Sequence, residues 1–247
     1  MENSLLGEAK VRRYEGKLYR YFMHNWDNEK KKRHFFIRLG GLLVVILTIY
    51  LVTRINMPVV SYKQCMVDKV FDMTNSLNKY FALNPQVKNS FEIFSSTLID
   101  INLLCFAVLY GLWGTTWKPL VFSVSFFIFR GSLQAATILG FPEGFIWEFP
   151  GFYSVLVTYV KSSDFFFSGH VGVMLFCGMF FYEHGHNRLL GYSIFCIFCE
   201  AIVMVLVRCH YGIDIVGGLI FSHYIWIISE WPAKIIDKLG YDEDQHR

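Results

Sequence analysis

Residues 164–171 read DFFFSGHV, and they place a histidine at the start of an apolar run that continues to residue 183. Ser168 is a good N-cap for the helix that this run predicts, and Gly169 lets a ligand approach the backbone closely. The first turn of such a helix presents free N–H groups and a partial positive charge, which favour an anion. His170, just inside the cap, is placed to donate a proton to a leaving oxygen of a bound phosphate.

The composition around this stretch is typical of a membrane protein. Of 247 residues, 54% are apolar, 18% are aromatic and only 17% are charged. A helix needs about 20 apolar residues to cross the hydrocarbon core of a bilayer. The sequence predicts an all-α fold with six such spans, at residues 35–53, 92–113, 119–140, 167–183, 189–207 and 211–228. The formal net charge of +3 gives no indication of a nucleic-acid partner.

The basic residues predict how the spans are oriented. Ten Lys and Arg residues occur up to Arg38, and the positive-inside tendency then places the N-terminus in the cytosol. Six spans return the C-terminus to the same side. The chain therefore divides into a basic N-terminal segment (1–34), a transmembrane catalytic domain (35–228) and a cytosolic C-terminal tail (229–247). The apolar spacing within the first segment suits an amphipathic helix on an anionic membrane surface, although an ordinary solvated tail fits nearly as well.

A second polar motif, RCHYGIDIVGG at residues 208–218, opens the last predicted span. His210 and Asp214 are four residues apart, so their side chains would share one face of a helix. The carboxylate could then accept the imidazole N–H, fix the tautomer and leave the other ring nitrogen as a nucleophile. Such a pair, taken alone, is more often a structural hydrogen bond.

The predicted topology brings the two histidines to the same face of the membrane. From His170 the chain crosses the membrane, turns at residues 183–188 and crosses back to His210. A single phosphate at that face could therefore contact both imidazoles.

Three more charged residues are candidates for the same site. Arg208 lies two positions before His210 and, by its position at the active face, is expected to be a better phosphate ligand than Arg130. Arg130 lies within the third span, where it could bind phosphate oxygens or equally well pair with Glu200 of the fifth span. Asp164 could orient the histidine that follows it, repel a stray anion, or be a plain loop carboxylate.

These motifs resemble a known group of enzymes. SGH at the start of one span and HYGID at the start of the second span after it resemble the His, His, Asp triad of the lipid phosphatase and phosphotransferase superfamily. Within that superfamily, the segment FRGSLQAATILGFPEG (129–144) is similar to one in sphingomyelin synthases and plant phosphatidylcholine:diacylglycerol cholinephosphotransferases. The resemblance covers most of residues 77–228. Gly212 stands where threonine is usual, and the basic motifs of the soluble phosphatases are absent, which favours transfer between lipids.

The resemblance implies a lipid headgroup phosphotransferase that needs no metal or other cofactor. His210 would be the nucleophile, Asp214 its orienting partner, and His170 the acid that protonates the leaving diacylglycerol oxygen. A phosphohistidine intermediate would pass phosphocholine or phosphoethanolamine from a glycerophospholipid donor to a lipid alcohol, either diacylglycerol or ceramide. Such an enzyme would lie in the endoplasmic reticulum or Golgi, with a lumenal active site and cytosolic termini. Whether it forms a homo-oligomer is left open.

Three other functions fit the same residues. A lipid phosphate phosphatase would use the triad with water as the acceptor. Two histidines and a carboxylate could instead bind a non-haem metal. A transporter or haem-carrying protein would use the histidines as structural or axial ligands.

Recognition of the headgroup is not decided by the sequence pattern. Trp147, Trp226 and the tyrosines near the span ends could form an aromatic cage for a methylated ammonium group. The same residues are equally expected as part of the aromatic belt at the membrane interface.

Overall fold

The computed structural model describes residues 29–54, 67–137, 139–159 and 165–242. In these four stretches the regular structure is entirely helical, as predicted, and contains no strand. The helices are α1 (Glu29–Arg54), α2 (Lys69–Leu83), α3 (Pro85–Trp113), α4 (Lys118–Ala136), α5 (Gly169–Glu183), α6 (Asn187–Val207) and α7 (Gly212–Asp242). The basic segment before residue 29, predicted as an amphipathic helix, lies outside the described residues.

Five of these helices are long and apolar enough to cross a membrane, namely α1, α3, α4, α6 and α7. The predicted fourth span, 167–183, corresponds to α5, which has only 15 residues. At 1.5 Å per residue it is about 22 Å long, which is short for the hydrocarbon core. Nine of its residues are buried, and it packs against α3, α6 and α7. The apolar residues of α5 therefore face other helices on several sides. Hydropathy does not distinguish residues that face protein from residues that face lipid.

Several helix ends differ from the predicted ones. The segment between the first two predicted spans, where a short interfacial helix ending at Pro85 was expected, contains α2, whose first turn is capped by Asp68 through a 2.9 Å hydrogen bond from the Val70 N–H. Helix α3 begins at Pro85, because proline at the first helical position gives up no intrahelical hydrogen bond. Helix α7 runs to Asp242, well beyond the predicted end at residue 228. The hydropathy pattern reports the apolar part of a helix, and α7 continues through polar residues after that part ends.

Aromatic rings from four helices form the core next to α5. Phe176 of α5 stacks on Phe122 of α4, with ring centroids 4.5 Å apart and an interplanar angle of 5°. The same ring meets Phe106 of α3 edge-on at 4.6 Å and Trp226 of α7 at 5.7 Å. Aromatic pairs in stacked and edge-to-face geometry contribute beyond their buried area. This cluster fixes α5 among its neighbours, and with it the position of the SGH motif at its N-terminus.

Two glycines let α5 pack closely against its neighbours, Gly218 at the contact with α7 and Gly172 at the contact with Phe126 of α4. A Cβ atom on Gly218 of α7 would lie 2.6 Å from the Ser168 carbonyl oxygen, directly at the N-cap of α5. A Cβ atom on Gly172 of α5 would lie 2.5 Å from the Phe126 ring. One turn further along α7, the Ser222 hydroxyl donates a 2.7 Å hydrogen bond to the Gly172 carbonyl. The first turns of the two helices are therefore in backbone contact.

Replacing Gly218 with alanine should destabilise the protein by about 1–3 kcal/mol, because the added methyl group meets a backbone carbonyl that cannot rotate away. Thermal unfolding of purified protein in detergent measures the effect. Gly191→Ala in α6 is the matched control, since nothing lies within 4 Å of its Cβ position and alanine favours a helix. Equal melting temperatures for the two variants would contradict the close approach.

Candidate active site

Asp214 joins the beginnings of α5 and α7. Its Oδ1 atom accepts a 3.2 Å hydrogen bond from the Phe166 N–H, and its Oδ2 atom accepts a 3.0 Å hydrogen bond from the Tyr211 N–H. Its backbone carbonyl accepts a further 2.8 Å bond from the Ser168 N–H. The side chain is fully buried, and a carboxylate in the first turn of a helix is favoured by the helix dipole. Asp214 therefore fixes the backbone segment that carries the SGH motif relative to α7.

His210 forms the first histidine–carboxylate pair. Its Nδ1 atom lies 3.2 Å from Asp214 Oδ2, and only 4% of its side chain is exposed. The contact expected from the sequence is present, but its expected basis, a shared helix face, is wrong. Helix α7 begins at Gly212, and His210 lies in the turn before it. The turn folds the ring back over the first helical residues, so Asp214 binds the ring and the Tyr211 N–H together.

His170 lies beside His210, as the antiparallel arrangement of the helices predicts. The centroids of the two rings are 6.0 Å apart, and the rings are nearly perpendicular, at 80°. His170 is on the first turn of α5, after the Ser168 N-cap, whose hydroxyl accepts from the Val171 N–H at 3.5 Å. The His170 side chain is 19% exposed, more than that of its neighbour. A group the size of a phosphate can contact both imidazoles at this separation.

Glu200 forms the second histidine–carboxylate pair. Its Oε1 atom lies 3.3 Å from His170 Nδ1, and its Oε2 atom accepts a hydrogen bond from the Ser95 hydroxyl of α3. The sequence indicated that this carboxylate needs an interior partner, but Arg130 was the partner expected. Its distance to the imidazole depends on how α6 is rotated against α5, which residue spacing does not determine. The two pairs give each histidine one carboxylate at Nδ1.

Arg130 is a residue of α4, and its side chain contacts the beginning of α5. Its Nε atom donates a 3.4 Å hydrogen bond to the Phe167 carbonyl. A Cβ atom on Gly169 would be only 3.1 Å from the same nitrogen, so the absence of a side chain there makes room for the guanidinium. The positive charge of Arg130 is thus held at the N-terminus of α5, against Gly169, the residue that precedes His170.

Arg208 has a different environment. It ends α6 in the left-handed conformation, with φ of 55°, and its side chain is buried. The guanidinium donates hydrogen bonds to the Glu143 carbonyl, to the Phe71 carbonyl at 3.4 Å and to Asn75 Oδ1 at 3.1 Å. These contacts tie α2 to the turn before His210. The predicted role of Arg208 in phosphate binding stays a prediction.

Two further predictions concern other parts of the site. Asp164, predicted near His170, lies outside the described residues. Within the residues that the structure describes, no three or more His, Cys, Asp and Glu side chains are grouped so that they could hold a metal ion.

Polar residues of α3 hold a non-helical segment beside the site. Lys88 Nζ donates a 3.0 Å hydrogen bond to the Ile146 carbonyl. Twelve residues further along α3, the Asp100 carboxylate accepts from the Ser154 hydroxyl and from the Val155 and Leu156 N–H groups, all at 2.9–3.1 Å. Neither Lys88 nor Asp100 was predicted from the sequence to contribute to the site. Their only sequence signal is their occurrence as charged residues within a predicted span or at its end.

The same segment brings an aromatic residue to the histidines. Trp147 is 7% exposed, and its ring centroid lies 6.2 Å from that of His170. Tyr159 stacks on Trp147 at 4.9 Å with an interplanar angle of 28°. The segment between residues 146 and 159 therefore forms one wall next to His170.

The fold and the site define an all-helical, multi-pass membrane protein with two histidine–carboxylate pairs at one end of its helix bundle. The family model AtPDCT1/2 matches residues 67–230, and the chain belongs to this family, the phosphatidylcholine:diacylglycerol cholinephosphotransferases. The match includes both histidines and both carboxylates, and membership implies an enzyme, a phosphotransferase. No curated protein and no solved structure gives a significant match to the chain.

Asp214→Ala should lower stability by about 1–3 kcal/mol for each buried N–H group that loses its acceptor, those of Phe166 and Tyr211. Asp214→Asn should cost less, because its amide oxygen can still accept one of these bonds. Thermal unfolding of both variants in detergent compares them. If the alanine and asparagine variants unfold at the same temperature, the carboxylate does not hold the two N-termini together as described.

Proposed function

We propose that this protein moves phosphocholine, or phosphoethanolamine, from a glycerophospholipid to diacylglycerol or ceramide through a phosphohistidine intermediate. The observation that carries the proposal is the pair of imidazoles 6.0 Å apart, each with its Nδ1 atom beside a buried carboxylate. Family membership supports transfer of a phosphocholine group between lipids. The donor is a phospholipid and the acceptor a lipid alcohol, both reaching the site from the membrane.

In the first half of the reaction, His210 is the nucleophile. Asp214 accepts a hydrogen bond from the Nδ1–H group, which keeps the proton on that nitrogen and leaves Nε2 with a free lone pair for attack on phosphorus. A nitrogen–phosphorus bond forms while the bond between phosphorus and the diacylglycerol oxygen breaks. His170 gives its proton to that oxygen, so the first diacylglycerol leaves as a neutral alcohol.

In the second half, His170 is the base. It takes the proton of the acceptor hydroxyl, whose oxygen attacks phosphorus while the bond to His210 breaks. Each half-reaction has then moved one proton and transferred the headgroup phosphate once, and both histidines return to their starting states. Glu200 stabilises the protonated form of His170, which is present before the first half and again after the second, because a carboxylate beside an imidazolium favours its charge.

The phosphate in this reaction carries a negative charge throughout. Arg130 and the first turn of α5 supply the positive potential for it, since the guanidinium lies against Gly169 and the cap is formed by Ser168. Of the two arginines expected to bind phosphate, Arg130 is the better placed. Arg208 holds the turn before His210 through its contacts with Asn75 and the Glu143 carbonyl.

The proposed setting is the lumenal face of the endoplasmic reticulum or Golgi, with both termini in the cytosol. The basic residues up to Arg38 support a cytosolic N-terminus. The proposal requires that α5 crosses the membrane as a sixth span. The site then lies on the membrane face opposite to both termini.

His210→Ala should abolish headgroup transfer, with a loss of at least about a thousandfold, because no other group can form the covalent intermediate. The assay is transfer of headgroup from phosphatidylcholine to labelled diacylglycerol in vesicles. His186→Ala is the matched control, an exposed histidine at the opposite end of the bundle, and it should transfer at the normal rate. Normal turnover by the His210 variant, with normal insertion into the membrane, would refute the proposal.

The acceptor distinguishes a transferase from a phosphatase that uses the same residues. With phosphatidylcholine labelled in its headgroup phosphate, a transferase should move label only when diacylglycerol or ceramide is added, because the enzyme-bound phosphate awaits a lipid hydroxyl. Product analysis by mass spectrometry identifies the labelled lipid. Release of soluble labelled phosphocholine at equal rates with and without acceptor would instead indicate an enzyme that uses water as the acceptor.

A further inference from the structure

An aromatic row lies along the non-helical segment next to His170. We define this row as Trp147, Phe149, Tyr153 and Tyr159. Neighbouring rings are in contact, with centroid distances of 4.9 Å for Trp147 and Tyr159, 5.8 Å for Phe149 and Tyr159, and 4.9 Å for Phe149 and Tyr153. The row thus leads without interruption from the surface to the candidate active site.

Exposure changes steadily along the aromatic row. The outermost ring, Tyr153, is 84% exposed, Phe149 is 45% exposed, and Trp147 is 7% exposed beside His170. Large exposed aromatic residues on a short stretch that ends at a polar site are typical of a ligand-binding surface. Interfacial anchoring alone explains the outer rings, but it does not explain a buried tryptophan 6.2 Å from an imidazole.

The charges around the inner end of the row favour a cation. The pKa of Tyr159 is raised to about 12, first by burial and further by the carboxylates of Glu92, Glu200 and Asp100. Lys88 is the cation on the same side of α3, and its Nζ atom lies 3.5 Å from Glu92 Oε2. Glu92 is fully buried, and the described residues give neither of its carboxylate oxygens a hydrogen bond. Of these side chains around Tyr159, three are therefore acidic and one is basic.

The position of the row also fits the geometry of a phosphocholine group. Its phosphorus must lie between His170 and His210, and its ammonium is connected to the phosphate by an ester oxygen and two carbons. Trp147, the first ring of the aromatic row, lies directly beside His170. The choline arm of a phosphate bound at His170 therefore reaches the row without passing another side chain. A quaternary ammonium cannot donate a hydrogen bond, and it is bound by aromatic faces within about 6 Å of their centroids together with nearby carboxylates.

We propose that the inner end of the aromatic row, Trp147 and Tyr159, binds the quaternary ammonium of the donor lipid and selects choline over ethanolamine. This inference rests on the proposed function and adds the headgroup to it. A primary ammonium gains less from the rings, because it keeps its strong hydration and prefers hydrogen-bond acceptors. The row is therefore a specificity determinant, and the chemical step remains with the histidines.

The test measures a ratio of products. Full-length protein in vesicles receives equal amounts of phosphatidylcholine and phosphatidylethanolamine as donors and a labelled diacylglycerol as acceptor. The unaltered protein should form mainly labelled phosphatidylcholine. Tyr159→Leu and Trp147→Leu should each lower the ratio of choline to ethanolamine product about tenfold. Trp231→Leu, at a residue that is 74% exposed near the other end of α7, should leave the ratio and the total transfer unchanged.

A conservative variant separates recognition from structure. Tyr159→Phe retains the ring and should retain the headgroup ratio, whereas Tyr159→Leu should not. If Trp147→Leu fails to fold, this pair of Tyr159 variants decides the question. An equal loss of both products, or an unchanged ratio in Tyr159→Leu, would overturn the inference.

A binding measurement distinguishes failure of this inference from failure of the proposed function. His210→Ala protein, unable to form the intermediate, is titrated with phosphocholine and with phosphoethanolamine by calorimetry. Tighter binding of phosphocholine supports the inference, and equal binding overturns it even if the unaltered protein is an active transferase. A preference for phosphocholine in this variant, together with no headgroup transfer by the unaltered protein, would overturn the proposed function and retain the ammonium site.

Discussion

The site depends on one buried carboxylate that binds backbone and side chain together. Asp214 accepts hydrogen bonds from the Phe166 and Tyr211 N–H groups and lies 3.2 Å from His210 Nδ1. The N–H groups before a helix have no partner within that helix, and burial makes them costly to leave unpaired. Asp214 meets this need for two helix beginnings at once. As a result, the two segments that carry the histidines are held by the same side chain that orients one of them.

A second constraint comes from α3, whose polar face carries the wall beside His170. Lys88, Glu92 and Asp100 are spaced by four and eight residues, so they lie along one side of the helix. Non-helical backbone inside a membrane protein needs partners for its N–H and C=O groups. Lys88 and Asp100 supply them for residues 146, 155 and 156. The charged residues of this spanning helix therefore have a structural role that also positions Trp147.

The sequence was sufficient to predict what depends on local pattern and chain direction. Runs of apolar residues identified the helices, and an out-and-back path between His170 and His210 placed the two rings at one end of the bundle, as the 6.0 Å separation confirms. The contact between His210 and Asp214 was also predicted, although through a helix shared by both residues, whereas α7 begins only at Gly212, after His210. A turn and a helix can both bring residues four apart into contact, and spacing alone does not distinguish them.

What the sequence could not predict are the partners set by packing. Glu200 lies beside His170 because α6 presents one of its faces to α5, and the contacts of Arg208 depend on the position of α2. The short length of α5 and its burial among other helices were likewise hidden, because a residue facing protein and one facing lipid are equally apolar. Rotation and depth of helices are decided by close packing, such as that of Gly218 against the Ser168 carbonyl.

The two histidine–carboxylate pairs differ in a way that matches different roles in the proposed reaction. The carboxylate of His210 is fixed by two backbone N–H groups, and this ring is almost fully buried. A nucleophile gains from such rigidity, because attack on phosphorus needs one ring orientation. The carboxylate of His170 is held by a serine hydroxyl, and this ring is 19% exposed. An acid that must serve first a leaving alcohol and then an incoming one needs access to both, so the more accessible imidazole is the one suited to proton transfer.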